Sequence, residues 1–417
     1  MKMRMLMIGA VAASLIAPPA SADTVTDWWE TAHRYWLASQ GVPGPMSPDT
    51  VRAPARATLA MFEAVNAIDR RYESYLGIPL ADRTASQDAA AATAALKVLL
   101  KHYPQNKTAL EESYTLSMAT IAEGPAKQAG IAIGEQAAGA AMSAAGIDQA
   151  VTQKPYRPNT VAGQWVATGL PSLEPYWPAL KPWVASSPDA LRPPPPPPLG
   201  SECYARDYEE VRRLGSKDSK ERAPYQTLIA RYRQAFDITP SVRRATDAPG
   251  RRPVDNARLL ALFQMAFDDA AHAMIVAKQH YDYWRPITAI RNADRDDNPG
   301  TQHDPAWVPL IGTPNFQEYP CGHCVVAAAI AEVMKAESGL PASAGVTVGS
   351  LINPNSTIQH VASWDEWVRQ VSDSRMYGGV HYRFSNEAGE EIGRKAARIV
   401  IERALKPLPG KKRPSRR

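Results

Sequence analysis

No stretch of this 417-residue chain sustains the period-two alternation of apolar and polar residues that a half-buried strand needs. Apolar residues recur instead at helical spacing, which predicts an all-α protein. Residues 53–70, 86–102, 107–121, 124–145, 206–214, 221–236 and 322–338 read as helices, and 256–283 as a long amphipathic helix or helix pair. In the first, Ala55, Leu59, Phe62 and Val65 share a face, and Pro54 is expected in the opening turn, where a missing N–H goes unpaired anyway. The segments 86–102 and 124–145 are rich in alanine and suit close helix–helix contact. Ser385 or Asn386 is expected to cap a last helix running to about Leu405, its acids early and its cations late, as the helix dipole favours. Residues 155–200 crowd Pro, Trp and Gly together and end in the run Pro193 to Pro198; they read as an extended connector laid over the surface.

A hydrophobic content of 45% can bury a sizeable core, and three cysteines are too few for a disulfide scaffold of this length. The net charge of +5 is concentrated at the ends: Lys2 and Arg4 open the chain, and Lys406, Lys411, Lys412, Arg413, Arg416 and Arg417 crowd its last residues. Subtracting these eight charges leaves a body at −3, which gives nucleic-acid binding no electrostatic support. Residues 406–417 read as a solvated basic tail. Residues 1–22 read as a signal peptide: a basic start, an apolar stretch from Leu6 to Ala17, and Ala20-Ser21-Ala22 before Asp23. That stretch is too short to span a bilayer, so a periplasmic or secreted protein without stable membrane insertion is expected. Residues 23–200 form an N-terminal helical region with its connector, and 201–405 a C-terminal helical region.

Three segments of the second region carry candidate chemistry. Lys278 and Arg285 are seven residues apart, which returns a continuous helix to within about 20° of the same face. Pro286 is expected to end that helix at Arg285, so both cations can converge on an oxyanion near a helix end. The second segment is Glu318-Tyr-Pro-Cys321-Gly322-His323-Cys324, leading into an apolar helix. A glycine at that junction opens backbone N–H groups to an anion at the positive end of the dipole, and His323 can serve as general acid or base. In the third, Arg375 and His381 lie six apart and would point in different directions on an unbroken helix; Gly378-Gly379 can bend the chain so that they converge.

The ordered set K-x6-RP, P-x-GH and SR-x5-H resembles the vanadium-dependent haloperoxidase and type 2 phosphatidic acid phosphatase superfamily. The settings "YWRPITAIR", "HDPAWVPLIGTPNFQEYP" and "GVHYRF" are closer to the haloperoxidase branch. The resemblance implies a helical-bundle haloperoxidase-like fold. It also implies a vanadate cofactor, for which phosphate can substitute at the same site. Lys278, Arg285 and Arg375 would neutralise its oxygens, the Gly322 amide would donate to it, His323 would handle protons, and His381 would bond vanadium. Lys278 would also polarise bound peroxide. Phe316 falls where family members differ in a way linked to halide preference. The implied reaction is halide oxidation by hydrogen peroxide. The alternative is acid phosphatase chemistry on a phosphomonoester, with His381 attacking phosphorus.

Two positions depart from the family. Cys321 stands where it usually has Ser, and either donates weakly to the oxyanion through its thiol or is disulfide-bonded to Cys324. Ser385 stands where many members have an Asp that could orient the last histidine. Cys-Gly-His-Cys is also a redox tetrapeptide, but a thioredoxin-like site needs a β/α setting, whereas helical pattern surrounds it here. Zinc binding would need more soft ligands than Cys203 adds.

Overall fold

A computed structural model describes residues 23–40, 48–144, 156–169, 177–350 and 358–411. The expected signal peptide and the last six residues of the basic tail lie outside them. The first helices are α1 (Thr24–Gln40), α2 (Pro48–Ile68), α3 (Gln87–His102), α4 (Lys107–Ala119) and α5 (Pro125–Ser143). They are followed by α6 (Glu202–Gly215), α7 (Pro224–Tyr232), α8 (Thr239–Thr246), α9 (Pro253–Tyr281) and α10 (Pro286–Arg291). The chain closes with α11 (Gly322–Glu337), α12 (Trp364–Tyr377) and α13 (Arg383–Arg403). Three short antiparallel strands, β1 (Phe236–Asp237), β2 (Val346–Ser350) and β3 (Gln359–Val361), form a small sheet in that order. The all-α class expected from periodicity stands.

α9 is the axis of the bundle, packed against α1, α2, α11 and α13. It is long and apolar enough to cross a bilayer, yet 83% of its apolar window is buried within the protein. Its apolar residues meet neighbours on every side, as a core helix requires. The alanine-rich α3 packs on α2 and α5 through Ala89 to Ala92, Ala94 and Ala95, all buried. α11 and α13 approach closely because α13 carries glycine at the contact. A Cβ on Gly393 would lie 2.1 Å from the Val325 carbonyl oxygen, and one on Gly389 2.5 Å from that of Cys321. The spacing of these two glycines on one face therefore sets α13 against the start of α11.

Several expected boundaries move. α2 begins before Pro54, so that proline sits inside the helix and removes one ladder bond. α9 ends at Tyr281, with Asp282 left-handed (φ 45°), and Arg285 instead caps α10 ahead of Pro286. Tyr382, not Ser385 or Asn386, precedes α13; both of those are buried in its first turns. α1, α8, α10 and α12 were not legible as helices. The 155–200 segment is more than a loose surface cover: many of its described residues are exposed, but its Trp165, Trp177 and Trp183 are buried. Asp269 accepts hydrogen bonds from the backbone N–H groups of Trp183, Val184 and Ala185, pinning that segment to α9. The basic tail also docks at its start, since Glu73 N–H donates to the Lys406 carbonyl and Leu408 N–H to that of Arg71.

Candidate active site

The loop from Phe316 to Cys321 wraps the C-terminal end of α9 and gathers the first two cations. Lys278, in the last turn of α9, donates through Nζ to the carbonyls of Gln317 (2.9 Å) and Glu318 (2.7 Å). Arg285 donates through Nε to the Phe316 carbonyl and through Nη1 to the Val380 carbonyl, each at 2.9 Å. Both cations lie over the Phe316 ring, Lys278 Nζ 5.3 Å and Arg285 Cζ 5.0 Å from its centre. They converge as expected, though by a chain reversal after Tyr281 and not along one helix face.

The third segment also folds as its glycines suggested. Arg375 is in the last turn of α12, Gly378 closes that helix, and Gly379 takes φ 78°, a conformation costly to side-chain-bearing residues. The bend brings His381 to Arg285, whose Nη1 is 3.0 Å from His381 Nε2. His381 Nδ1 lies 2.7 Å from Glu318 Oε1, and Ser385 Oγ stands 3.5 Å from the same nitrogen. Glu318 was not singled out from sequence. Its only signal was a carboxylate inside the second motif, three residues before Cys321.

Gly322 opens α11 with Cys321 as cap residue, and the Cys321 N–H donates to the Ser385 carbonyl, 3.1 Å away, tying the helix start to α13. Cys321 is disulfide-bonded to Cys324. Its sulfur therefore has no proton to give an oxyanion, which removes the donor role considered for it; of the two readings, the disulfide is the one present. Gly322 remains, its amide among the N–H groups that a helix start leaves without intrahelical partners. His323 is partly buried, with Nε2 2.8 Å from the Gln234 carbonyl. Because that oxygen only accepts, Nε2 carries the proton and Nδ1 is the free base. Gln234 also lines a cavity of about 450 Å³ with Leu228, Arg231, Tyr232 and Ile311.

Six groups in this region feel one another's charge. Burial, then Arg285, holds the Lys278 ammonium well below its ordinary range. Burial brings Arg285 down to about 10, and burial with Arg285 brings Arg375 down to about 9. Burial lowers His323 to about 3, helped most by Arg375, while His381 is held well below its usual value by burial and then Arg285. Burial raises Glu318 to about 7 against the pull of Arg285 and Lys278. Arg285 Nη2 and Arg375 Nε and Nη1 are buried without a hydrogen-bond partner among the described residues. Buried donors without partners are costly, and three on two guanidinium groups beside a histidine suit an oxyanion.

Residues 258–410 match a family model described as the VCPO second helical-bundle domain. That range holds all three motifs. The chain has the helical vanadium-haloperoxidase fold. Over 95% of its length it superimposes on all of a structure described as the first bacterial vanadium-dependent iodoperoxidase, with a TM-score of 0.76 and 23% identity. Another match is an apo-type bacterial vanadium-dependent chloroperoxidase, with a TM-score of 0.67, 16% identity, and 89% of this chain and 96% of that one covered. A curated relative, vanadium chloroperoxidase of Curvularia inaequalis, is 31% identical over 91 residues, 19% of this chain. The chain thus spans only 14% of that relative's length. The resemblance read from the three motifs holds for the fold, and residues 258–410, which carry all three motifs, match that family's second helical-bundle domain.

Proposed function

We propose that this chain is an exported vanadium-dependent haloperoxidase-like enzyme that oxidises halide with hydrogen peroxide. The observation carrying the proposal is the set of unpartnered guanidinium donors on Arg285 and Arg375 beside His381 Nε2. Vanadate fits this donor set: His381 would hold it, with Lys278, Arg285, Arg375 and the Gly322 amide as its oxygen partners. Bound there, vanadate would supply a Lewis-acid centre that activates peroxide toward halide. Lys278 keeps one of its three N–H donors beyond the two carbonyls it serves, and that donor is available to polarise peroxide. His323 Nδ1 can take the proton that peroxide must lose. Fixed positive charge in a water-poor site stabilises a developing oxyanion far better than solvent-exposed charge does.

The rival is a phosphomonoesterase in which His381 Nε2 attacks phosphorus. The Glu318–His381 hydrogen bond suits a nucleophilic imidazole. That chemistry requires His323 to give a proton to the leaving oxygen, and burial, helped by Arg375, disfavours the protonated ring.

Calorimetric titration with orthovanadate, followed by assay of bromide and iodide oxidation, tests the proposal. Submillimolar binding, competition by phosphate and peroxide-dependent turnover lost in His381→Ala are expected. No vanadate binding at millimolar concentration would sink it, and monoester hydrolysis without halide oxidation would transfer the assignment to the phosphatase. Export predicts a mature N-terminus at Asp23 in periplasmic or secreted material; retention of Met1 there would exclude cleavage.

A further inference from the structure

We propose that Glu318 is a positioning residue that sets the tautomer and ring direction of His381, a task that Ser385 is too far away and too weak to perform. This rests on the reading of His381 as the oxyanion-binding histidine. A guanidinium N–H can only donate, so Arg285 Nη1, 3.0 Å from His381 Nε2, requires a lone pair on Nε2. The imidazole proton is then on Nδ1, where Glu318 Oε1 accepts it at 2.7 Å. The opposite tautomer would set donor against donor at Nε2. Glu318 and Arg285 thus fix the same tautomer from opposite sides of the ring, leaving Nε2 as the basic atom that faces the cations.

Glu318 is itself held tightly. Its side chain is fully buried, its Oε1 accepts from the Tyr382 N–H at 3.2 Å, its N–H donates to the Tyr283 carbonyl at 2.9 Å, and its carbonyl serves Lys278. One residue therefore joins the backbone next to His381, the turn after α9 and the first cation. Ser385 lies one helical turn beyond His381, and its hydroxyl reaches Nδ1 only at 3.5 Å, the limit of a hydrogen bond. A neutral hydroxyl there can give or take a proton and so selects no tautomer. The orienting carboxylate has been supplied from the loop before α11 instead of from α13.

Nitrogen-15 NMR of histidine-labelled protein, recorded without oxyanion and then with orthophosphate, reads the tautomer directly, and orthovanadate titration reads affinity. The parent should show His381 protonated at Nδ1 alone. Glu318→Gln should keep that tautomer, because its amide oxygen still accepts, whereas Glu318→Leu should show mixed tautomers and roughly 10–100-fold weaker orthovanadate binding, the usual loss when an outer-shell partner is removed. Glu318→Leu combined with Ser385→Asp should regain Nδ1 protonation and most of the affinity, because it returns a carboxylate to the other side of Nδ1. Unchanged tautomer and affinity in Glu318→Leu would overturn the proposal, as would loss of the tautomer in Glu318→Gln, where an acceptor remains. If the parent binds no orthovanadate yet shows the Nδ1 proton and the same variant pattern in its spectra, the haloperoxidase assignment fails while the positioning role stands.

Discussion

Arg258 lies in the first turns of α9 and Arg285 just past its other end, and both are buried. They are held in opposite ways. Arg258 donates through Nη1 and Nη2 to both carboxylate oxygens of Glu337 and through Nε to the Leu405 carbonyl, with its charge over the Tyr72 ring. Arg285 meets two backbone carbonyls and a neutral histidine, and one of its nitrogens has no partner among the described residues. The same residue type is structural where a carboxylate pairs with it directly, and a candidate binding group where the nearest carboxylate, Glu318, is turned to His381 instead. Burying a charge is tolerable only if something compensates it. At the α9 start Glu337 compensates from within the chain; at the α9 end a ligand is the natural source.

The strongest test of this contrast acts on the structural end. Arg258→Met should lower unfolding free energy by about 3–5 kcal/mol, because it strands Glu337 in the interior; a denaturant midpoint unchanged from the parent would show that Glu337 is not a buried charge in need of a partner. At the other end, orthophosphate should stabilise the protein by about 2.7 kcal/mol at a hundred times its dissociation constant. A melting temperature that does not respond would break the claim that an anion completes the site. Next in size, Arg375→Met should weaken vanadate binding by about 10–100-fold, the equivalent of losing a charged hydrogen bond of roughly 1.5–3 kcal/mol. Unlike Arg258→Met, it should leave the unliganded protein as stable as the parent or more so, since it strands no partner. A large loss of stability would erase the distinction between the two ends.

A pH slope is the smallest effect, counted per pH unit. Burial lowers His323 to about 3 in the folded protein, so the unfolded chain binds more protons once the pH falls below the ordinary histidine value near 6.5. Its neutral burial therefore costs nothing above that value, and stability is lost as the pH falls from 6.5 toward 3, by at most about 1.4 kcal/mol per pH unit for one group. His323→Gln should flatten that part of a stability-against-pH curve. An unchanged slope would assign the acid sensitivity to other groups.

Sequence reading reached the binding half of this contrast more readily than the structural half. Lys278, Arg285, Arg375, Gly322, His323 and His381 were legible because cations, a glycine and histidines recur at set spacing within short segments. The Arg258–Glu337 pair was not, because its members are far apart in the chain and each alone resembles any helical charge. Glu318 was missed for a related reason: the position expected to hold an orienting carboxylate, one turn after His381, holds Ser385, and the replacement comes from a loop 63 residues before His381. The end of α9 was placed at Arg285 because Pro286 is a visible stop signal, whereas the left-handed Asp282 that ends the helix earlier carries none. The thiol and disulfide readings of Cys321 could not be separated without the approach of Cys324 in the first turn of α11.

Local chemistry thus determined much on its own. Helical periodicity set the all-α class, glycine at the motif junctions permitted the bends, and three cations with two histidines marked a candidate oxyanion site, because each property depends on residues a few positions apart. The tertiary structure decided which charges are neutralised, which imidazole nitrogen keeps its proton, where the 155–200 segment docks and how closely α11 meets α13. Those outcomes depend on groups brought together from distant parts of the chain. Hydrogen-bond pairing and desolvation act through space at a few ångströms, and linear spacing does not carry that distance.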